Sequence, residues 1–295
     1  MILPKFAVET KPVVARRPKD RGDGETVAVA ASSGPRYDYV ILAWYVILHG
    51  VTLAGLWYFP FNRVAAVVFL GSYALRMFGV SAGYHRYFSH RSFKTSRVAQ
   101  FLLAFLAMSS AQRGVLWWAS WHRQHHRCAD REGDTHSPIA NSFLWSYAGW
   151  LISPRHSRTN LSAVKDFSAF PELWWLDRHY YVPPAIWGLA LLVLGGPAWA
   201  FWGFFASTTL LFHAMAIGNT FGHLWGPRPY DTSDNSHDNW IYWFLTLGEY
   251  HNSHHYCMTA ANQGLVWWKP DPVYWGITLL GKLGIVWDIR PPTRT

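Results

Sequence analysis

Four stretches of this chain stay apolar for longer than a soluble core helix requires. Residues 39–59 carry no formal charge, and residues 64–80 are apolar apart from Arg76. Residues 182–199 and 200–217 form two further runs. Each is about 17 to 21 residues, enough to cross a hydrocarbon core of about 30 Å. The pattern predicts four spanning helices in two hairpins, turning at Pro60–Asn62 and at Gly195-Gly196-Pro197. Phe101–Met108 is apolar but too short to span, and fits a helix lying at the interface. The remaining segments, 81–181 and 218–290, alternate polar, aromatic and apolar residues and read as a helical cap. The expected fold is an all-α integral membrane domain over residues 37–290: four transmembrane helices under a cytoplasmic cap. Arg76 is expected to extend toward nearby headgroups.

Charge sets the orientation. Seven Lys and Arg fall in residues 1–37 and twelve in 86–181, while the turn at Pro197 has none. By the positive-inside rule both termini and the cap are cytoplasmic, in a bacterial inner membrane or its equivalent. The net charge of +9 is accounted for by this rule and by contact with anionic lipid. No basic stripe points to nucleic acid. Residues 1–36 are polar and lack an apolar signal core, so a disordered cytoplasmic tail is expected there.

The chemistry lies in the histidines, 15 in all. His-x-x-His-His occurs twice, at His122, His125 and His126 and at His251, His254 and His255. On a helix these positions share a face, so each triplet is expected to aim three nitrogens at one small volume. His85 and His90 follow the second span, and Asn219 and His223 the fourth. Five residues on an α-helix turn through about 140°, so His85 and His90 can cooperate only where the helix distorts. All these residues sit at the same expected cytoplasmic boundary. Nine imidazoles exceed the four of a tetrahedral zinc and suit two metals with four or five nitrogens each. The other six histidines, His136 among them, lack such company; His49 and His213 read as hydrogen-bonded polar groups inside spans.

The motifs resemble the membrane-bound fatty acyl desaturases of the stearoyl-CoA desaturase type, in a bacterial-like form. The segments that carry the likeness are His-Arg-Tyr-Phe-Ser-His at 85–90, His-Arg-Gln-His-His at 122–126 and His-Asn-Ser-His-His at 251–255. Asp130, Asp134, His136 and Pro138 match the pattern after the second box. Asn219, His223, Gly226 and Arg228-Pro229-Tyr230-Asp231 match the pattern after the last span. The resemblance runs from about Tyr39 to Asp288. It implies that the nine histidines bind two iron ions and that Asn219 reaches a metal through water. It implies an oxygen-dependent enzyme that places a cis double bond in a long saturated acyl chain, with acyl-CoA as the first expectation. A phospholipid-bound chain is the alternative carrier, and hydroxylation or decarboxylation of an alkyl chain the alternative reaction. O2 is the co-substrate, and a separate electron carrier and reductase are expected, since no fused donor domain is visible.

Elementary chemistry agrees, because an unactivated C–H bond needs oxygen activated at a redox metal. Asp130 and Glu249 are candidates for orienting ligand ring N–H groups. One residue, not the family's usual two, separates Glu249 from His251, which leaves its role open. Phe69 and Tyr73, four residues apart, are candidate walls of the substrate tunnel. Arg123, Arg127, Arg155 and Arg158 are candidates for the headgroup. Ser120-Trp121 and Pro154-Arg155 replace charged pairs that hold CoA in the animal enzymes. A metal carrier or sensor, a different class, would need ionisable groups along a path through the bilayer; only His49, His213 and Arg76 lie there.

Overall fold

The computed structural model describes residues 37–292, so the expected tail at 1–36 lies outside the described residues. The described chain is mostly helical. Among its residues three helical segments are long and apolar enough to cross a membrane: Tyr39–Tyr58, Arg63–Ser89 and Val182–His223. α1 is Tyr39–Tyr58, capped by the Asp38 carboxylate, which accepts from the Ile41 N–H (3.3 Å). α2 is Arg63–Phe78, capped by Asn62, and runs on into a wide π-helical segment, Gly79–Ser89. The second apolar segment therefore continues nine residues past the expected boundary at 80, carrying the first histidine with it.

The third segment joins two of the four expected runs. α6, Val182–Ala200, passes through Phe201–Ala206 into α7, Ser207–Thr220. Helical backbone is interrupted at Gly196 (φ 74°, ψ −168°). This left-handed conformation is open to glycine at little cost, and Pro197 follows it. Gly188 lies against the Phe204 ring and Gly203 against Leu191. The pairings centre on Gly196 and Pro197, so the chain doubles back there as an antiparallel hairpin. Val46, Leu53, Val67, Leu70, Leu189 and Val193 stay exposed, an outward apolar surface far larger than a water-facing protein carries.

The remaining helices are α3 (Arg97–Met108), α4 (Val115–Cys128), α5 (Pro171–Arg178), α8 (Trp240–Thr246), α9 (His251–Tyr256) and α10 (Pro272–Lys282). A two-stranded antiparallel ribbon, Lys94–Thr95 with Val286–Trp287, ties the chain near its end to the turn after Ser89. α3, α4 and α10 pack around the 79–89 segment. Tyr84, Phe88, Leu116, Leu173, Leu176 and Ile277 are fully buried there. The histidine-bearing segments thus rest on a continuous apolar core.

Arg76 does not reach for headgroups. It is fully buried. Its guanidinium donates to Ser72 O (3.3 Å), Ser109 O (3.2 Å), Thr208 Oγ1 (2.7 Å) and Gly203 O (3.1 Å), and also to Ser207 Oγ. The neighbouring helices offer hydroxyls and freed carbonyls nearer than any headgroup, and the fork-shaped donor set fits them. It joins α2, the end of α3 and the start of α7. Arg76→Met should strip these acceptors of their donor. With about 1–3 kcal/mol for each buried polar group left unpaired, thermal unfolding in detergent should start well below the wild-type midpoint, with the protein still inserted. An unchanged midpoint would show that the network adds no stability.

Candidate metal centre

The π-helical segment solves the spacing problem of His85 and His90. The His90 N–H donates to the His85 carbonyl five residues back (3.2 Å), so the two side chains stack along one face rather than diverging. Their ring centroids are 5.1 Å apart. His223 closes a short 3₁₀ turn after α7. α4 carries His122, His125 and His126, and α9 carries His251, His254 and His255.

The nine imidazoles form two groups: His85, His90, His122, His126 and His254, and His125, His223, His251 and His255. Within each group the atoms able to bind a metal lie within 4.8 Å of one another. This corrects the expectation that each triplet serves a single volume. Helical positions i and i+4 differ by about 40°, whereas i+3 lies about 100° from i+4. On α4, His122 and His126 therefore face the first group and His125 the second. On α9 the division inverts: His251 and His255 face the second group and His254 the first.

The nitrogens that meet are Nε2 atoms. His85 lies 2.9 Å from His254, His254 2.9 Å from His126, His126 3.0 Å from His122, and His122 3.0 Å from His90. In the second group His251 and His223 are 2.8 Å apart. The Nε2 atoms of His125 and His255 are buried without a hydrogen-bond partner among the described residues. Burial, then repulsion by neighbouring imidazoles, pushes His90, His122, His126, His251 and His254 well below the ordinary imidazole range. They are neutral at pH 7, and a neutral imidazole with an inward lone pair is a metal ligand. Converging lone pairs repel one another, and cations between them would turn that repulsion into bonding. The donor set fits two metal ions.

Carboxylates stand behind four of the rings. Nδ1–H of His85 donates to Glu249 (2.8 Å), of His125 to Asp134 (2.8 Å), of His223 to Asp130 (2.9 Å) and of His255 to Asp234 (2.8 Å). A proton held at Nδ1 leaves Nε2 bare, so these contacts select the tautomer that the inward geometry requires. Burial alone would raise all four carboxyls. For Asp130 the hydrogen bond and charge of His223 outweigh it, with Ser137 and the Asn235 N–H, and hold the group at about 2. Asp134 beside His125 and Asp234 beside His255 are held below the usual carboxylate range in the same way. His85 and Arg86 lower Glu249 likewise.

Glu249 therefore orients a histidine of the first box rather than of its own. The left-handed turn at Leu247 and Gly248 (φ 61° and 115°) aims it there. Tyr242 braces it (OH to Oε2, 3.1 Å), and the Tyr242 ring fits only because residue 218 has no Cβ, which would sit 2.4 Å from it.

Sequence reasoning passed over three residues here. Asp134 was visible only as a motif letter, and Asp234 lies in a loop without periodicity. His136, set aside as isolated, is stacked on His125 at 4.3 Å and forms a third cluster with His125 and Asp134. The chain reverses after α4 at Asp130 and Gly133 (φ 59° and 90°), which returns His136 to the helix. His49 and His213 meet each other (3.3 Å), and His213 accepts from the Tyr147 hydroxyl (2.7 Å), so both have partners.

A narrow cavity reaches both groups. Its lining includes His85, His122, His125 and His251, Asn219, and the apolar wall Trp117, Trp118, Phe212 and Met215. Phe69 and Tyr73 are not in its wall. The Tyr73 hydroxyl is tied to Leu245 O (2.6 Å), and Phe69 packs on Tyr73 and Trp202 inside the bundle. Of the four headgroup candidates, Arg123 is internal: it donates to Asp166 and to the carbonyls of Phe88, Ser89 and Ala163. Arg127, Arg155 and Arg158 are exposed.

The sequence profile of the fatty acid desaturase family matches residues 62–274, a span that contains all nine histidines. The chain belongs to that family. The sn-2 palmitoyl-lipid 9-desaturase of Nostoc sp. (strain 36) is 31% identical over 265 residues, 88% of this chain and 92% of that protein. Delta-9 acyl-lipid desaturase 2 of Arabidopsis thaliana is 32% identical over 267 residues, 88% and 85% of the two chains. The acyl-CoA C20 Delta5-desaturase of Anemone leveillei is 33% identical over 226 residues, 74% and 71%. The protein is a desaturase, an oxidoreductase of fatty acyl chains, and its apolar helices place it with membranes.

Proposed function

We propose that this desaturase holds two iron ions, one in each histidine group, and uses O2 and two external electrons to place a cis double bond in a long saturated acyl chain. The observation that carries the reading is the convergence of nine imidazoles, four of them backed by carboxylates, beside a cavity with an apolar wall. The bound irons would supply what no side chain can, redox activation of dioxygen sufficient for an unactivated C–H bond. The reaction balances as one –CH2–CH2– unit, O2, two electrons and two protons giving –CH=CH– and two waters. A separate electron carrier and reductase would supply the electrons. Asn219 lines the cavity together with His125 and His251, which supports a role for it through a water on the second group.

The protein's own part is holding and exclusion. Trp117, Trp118 and Phe212 keep water from the chain and fix which methylenes lie against the histidines. Four membrane crossings, with the hairpin at Gly196 on the far side, would put both termini and the metal centre in the cytoplasm; the distribution of Lys and Arg supports this. Expression in a host without a desaturase of its own tests the reaction. New cis-unsaturated acyl chains in the host lipids are expected, and hydroxylated or shortened chains in their place would overturn it.

The cavity wall also predicts chain-length selectivity. Each buried methylene is worth about 0.8 kcal/mol, so room for two more or two fewer should shift the preference between chains differing by two carbons roughly tenfold. Met215→Ala should favour longer products and Met215→Trp shorter ones in a chromatographic profile. Tyr73→Ala, outside the wall, should leave the profile as it was. A shift with Tyr73→Ala alone would return the tunnel to α2.

A further inference from the structure

The cavity beside the histidines is small, about 60 Å³, room for about four to six waters at about 10–15 Å³ each. Most of a long chain has to lie elsewhere. A second, larger space of about 490 Å³ adjoins it, within the range of ligand pockets. Its walls are Val40, Ile41 and Trp44 of α1, Tyr181, Pro184 and Ala185 at the start of α6, and Phe204. Tyr45 and Arg113 line both spaces, so a passage between the two has its neck at these residues. The groove opens between two apolar helices whose outer faces carry exposed Val40, Tyr181 and Ile186. The medium against such a surface is lipid.

The neck has a particular chemistry. Arg113 is 7% exposed. Its charge is met by Asp38 (2.9 Å), and two further terminal N–H groups go to Leu151 O (3.0 Å) and Ser157 O (3.3 Å). Its Nε–H is buried without a partner among the described residues. A guanidinium already neutralised offers little to a pyrophosphate or a free carboxylate.

We propose that this groove is a side entrance through which the acyl chain of a membrane glycerolipid passes from the bilayer to the histidines, with its methylenes filling the groove and passing the ion-paired Arg113 at the neck. The proposal rests on the reading that the inner cavity receives an acyl chain, and it names the carrier as a glycerolipid rather than acyl-CoA. Lipid packed around the protein touches the outer faces of α1 and α6; only a chain drawn through the neck reaches Gln112, Trp117 and Met215 inside.

Photolabelling separates the two. Iron-loaded protein is reconstituted with phosphatidylcholine bearing a diazirine in one acyl chain, and in parallel with a diazirine acyl-CoA, and labelled residues are mapped by mass spectrometry. The phospholipid probe should label the inner three residues. Ala185→Trp and Val40→Trp, which fill the groove from either side, should each cut that inner label at least fivefold while bound iron stays at the wild-type level. Inner labelling by phospholipid that survives both substitutions would overturn the entrance. So would inner labelling by acyl-CoA alone, which leaves the proposed function standing. If neither probe reaches the inner residues, the cavity is not the acyl site and the proposed function falls with the entrance.

Discussion

His254→Ala should lower bound iron from two per chain to about one and reduce desaturation at least a thousandfold, on the order of 4 kcal/mol of lost transition-state stabilisation. His254 is central to the first group, since its Nε2 lies 2.9 Å from both His85 and His126. Its removal leaves a gap between ligands from the 79–89 segment and from α4 that no neighbour can fill. The protein should still insert and accumulate, because α1, α2, α6 and α7 bury their apolar faces without help from the site. His179→Ala removes an imidazole that belongs to neither group and donates to Trp175 O, and should keep both irons and full turnover. Metal analysis of the purified variants and product assays on the same samples decide the matter. Two irons and wild-type turnover in His254→Ala would remove His254 from the centre.

The legible and the hidden parts of this molecule divide along physical lines. Apolar runs and His-x-x-His-His spacing are local, so the helices and the histidines could be named from the sequence. How the histidines would be shared could not, because the split of i+4 from i+3 matters only once α4 and α9 face each other. The π-helical turn at 79–89 was foreseen as a distortion between His85 and His90, yet its form depends on packing against α3 and α4. Asp234 and His136 reach the centre through left-handed turns and long loops, which leave no periodic trace. Arg76 misled for a related reason: a charge in an apolar run signals either a lipid headgroup or a polar partner on another helix, and only the assembled bundle shows Thr208 and Ser207 beside it. The tunnel wall was placed on α2 because α2 leads to a ligand. The cavity beside the histidines is lined instead from α7, where Phe212, Met215 and Asn219 share a face.

Asp134→Ala should weaken iron binding in the second group by about 10–100-fold, with Asp134→Asn between it and the wild type. Among the described residues three carboxylates, Asp130, Asp134 and Asp234, stand behind the four histidines of that group, and Glu249 alone behind the five of the first. Asparagine can still accept the Nδ1–H of His125 through its carbonyl, which keeps the ring oriented but removes the negative charge. Alanine removes both and leaves a buried N–H unpaired. Asp134 also accepts from the backbone N–H groups of Asp130 (2.7 Å) and His136 (3.1 Å), so the alanine variant should lose part of the turn that returns His136 to α4. Chelator competition followed by iron counting should therefore resolve two phases: a loosened iron, released at a chelator level that tracks the substitution, and a tight one unchanged. Glu249→Gln should produce the reverse, loosening the iron of the five-histidine group. If Asp134→Ala held both irons as tightly as the wild type, the carboxylates would be packing features and the orientation of His125 would have to come from its stacking on His136. If asparagine and alanine fell together, the charge rather than the hydrogen bond would be what tunes that ligand.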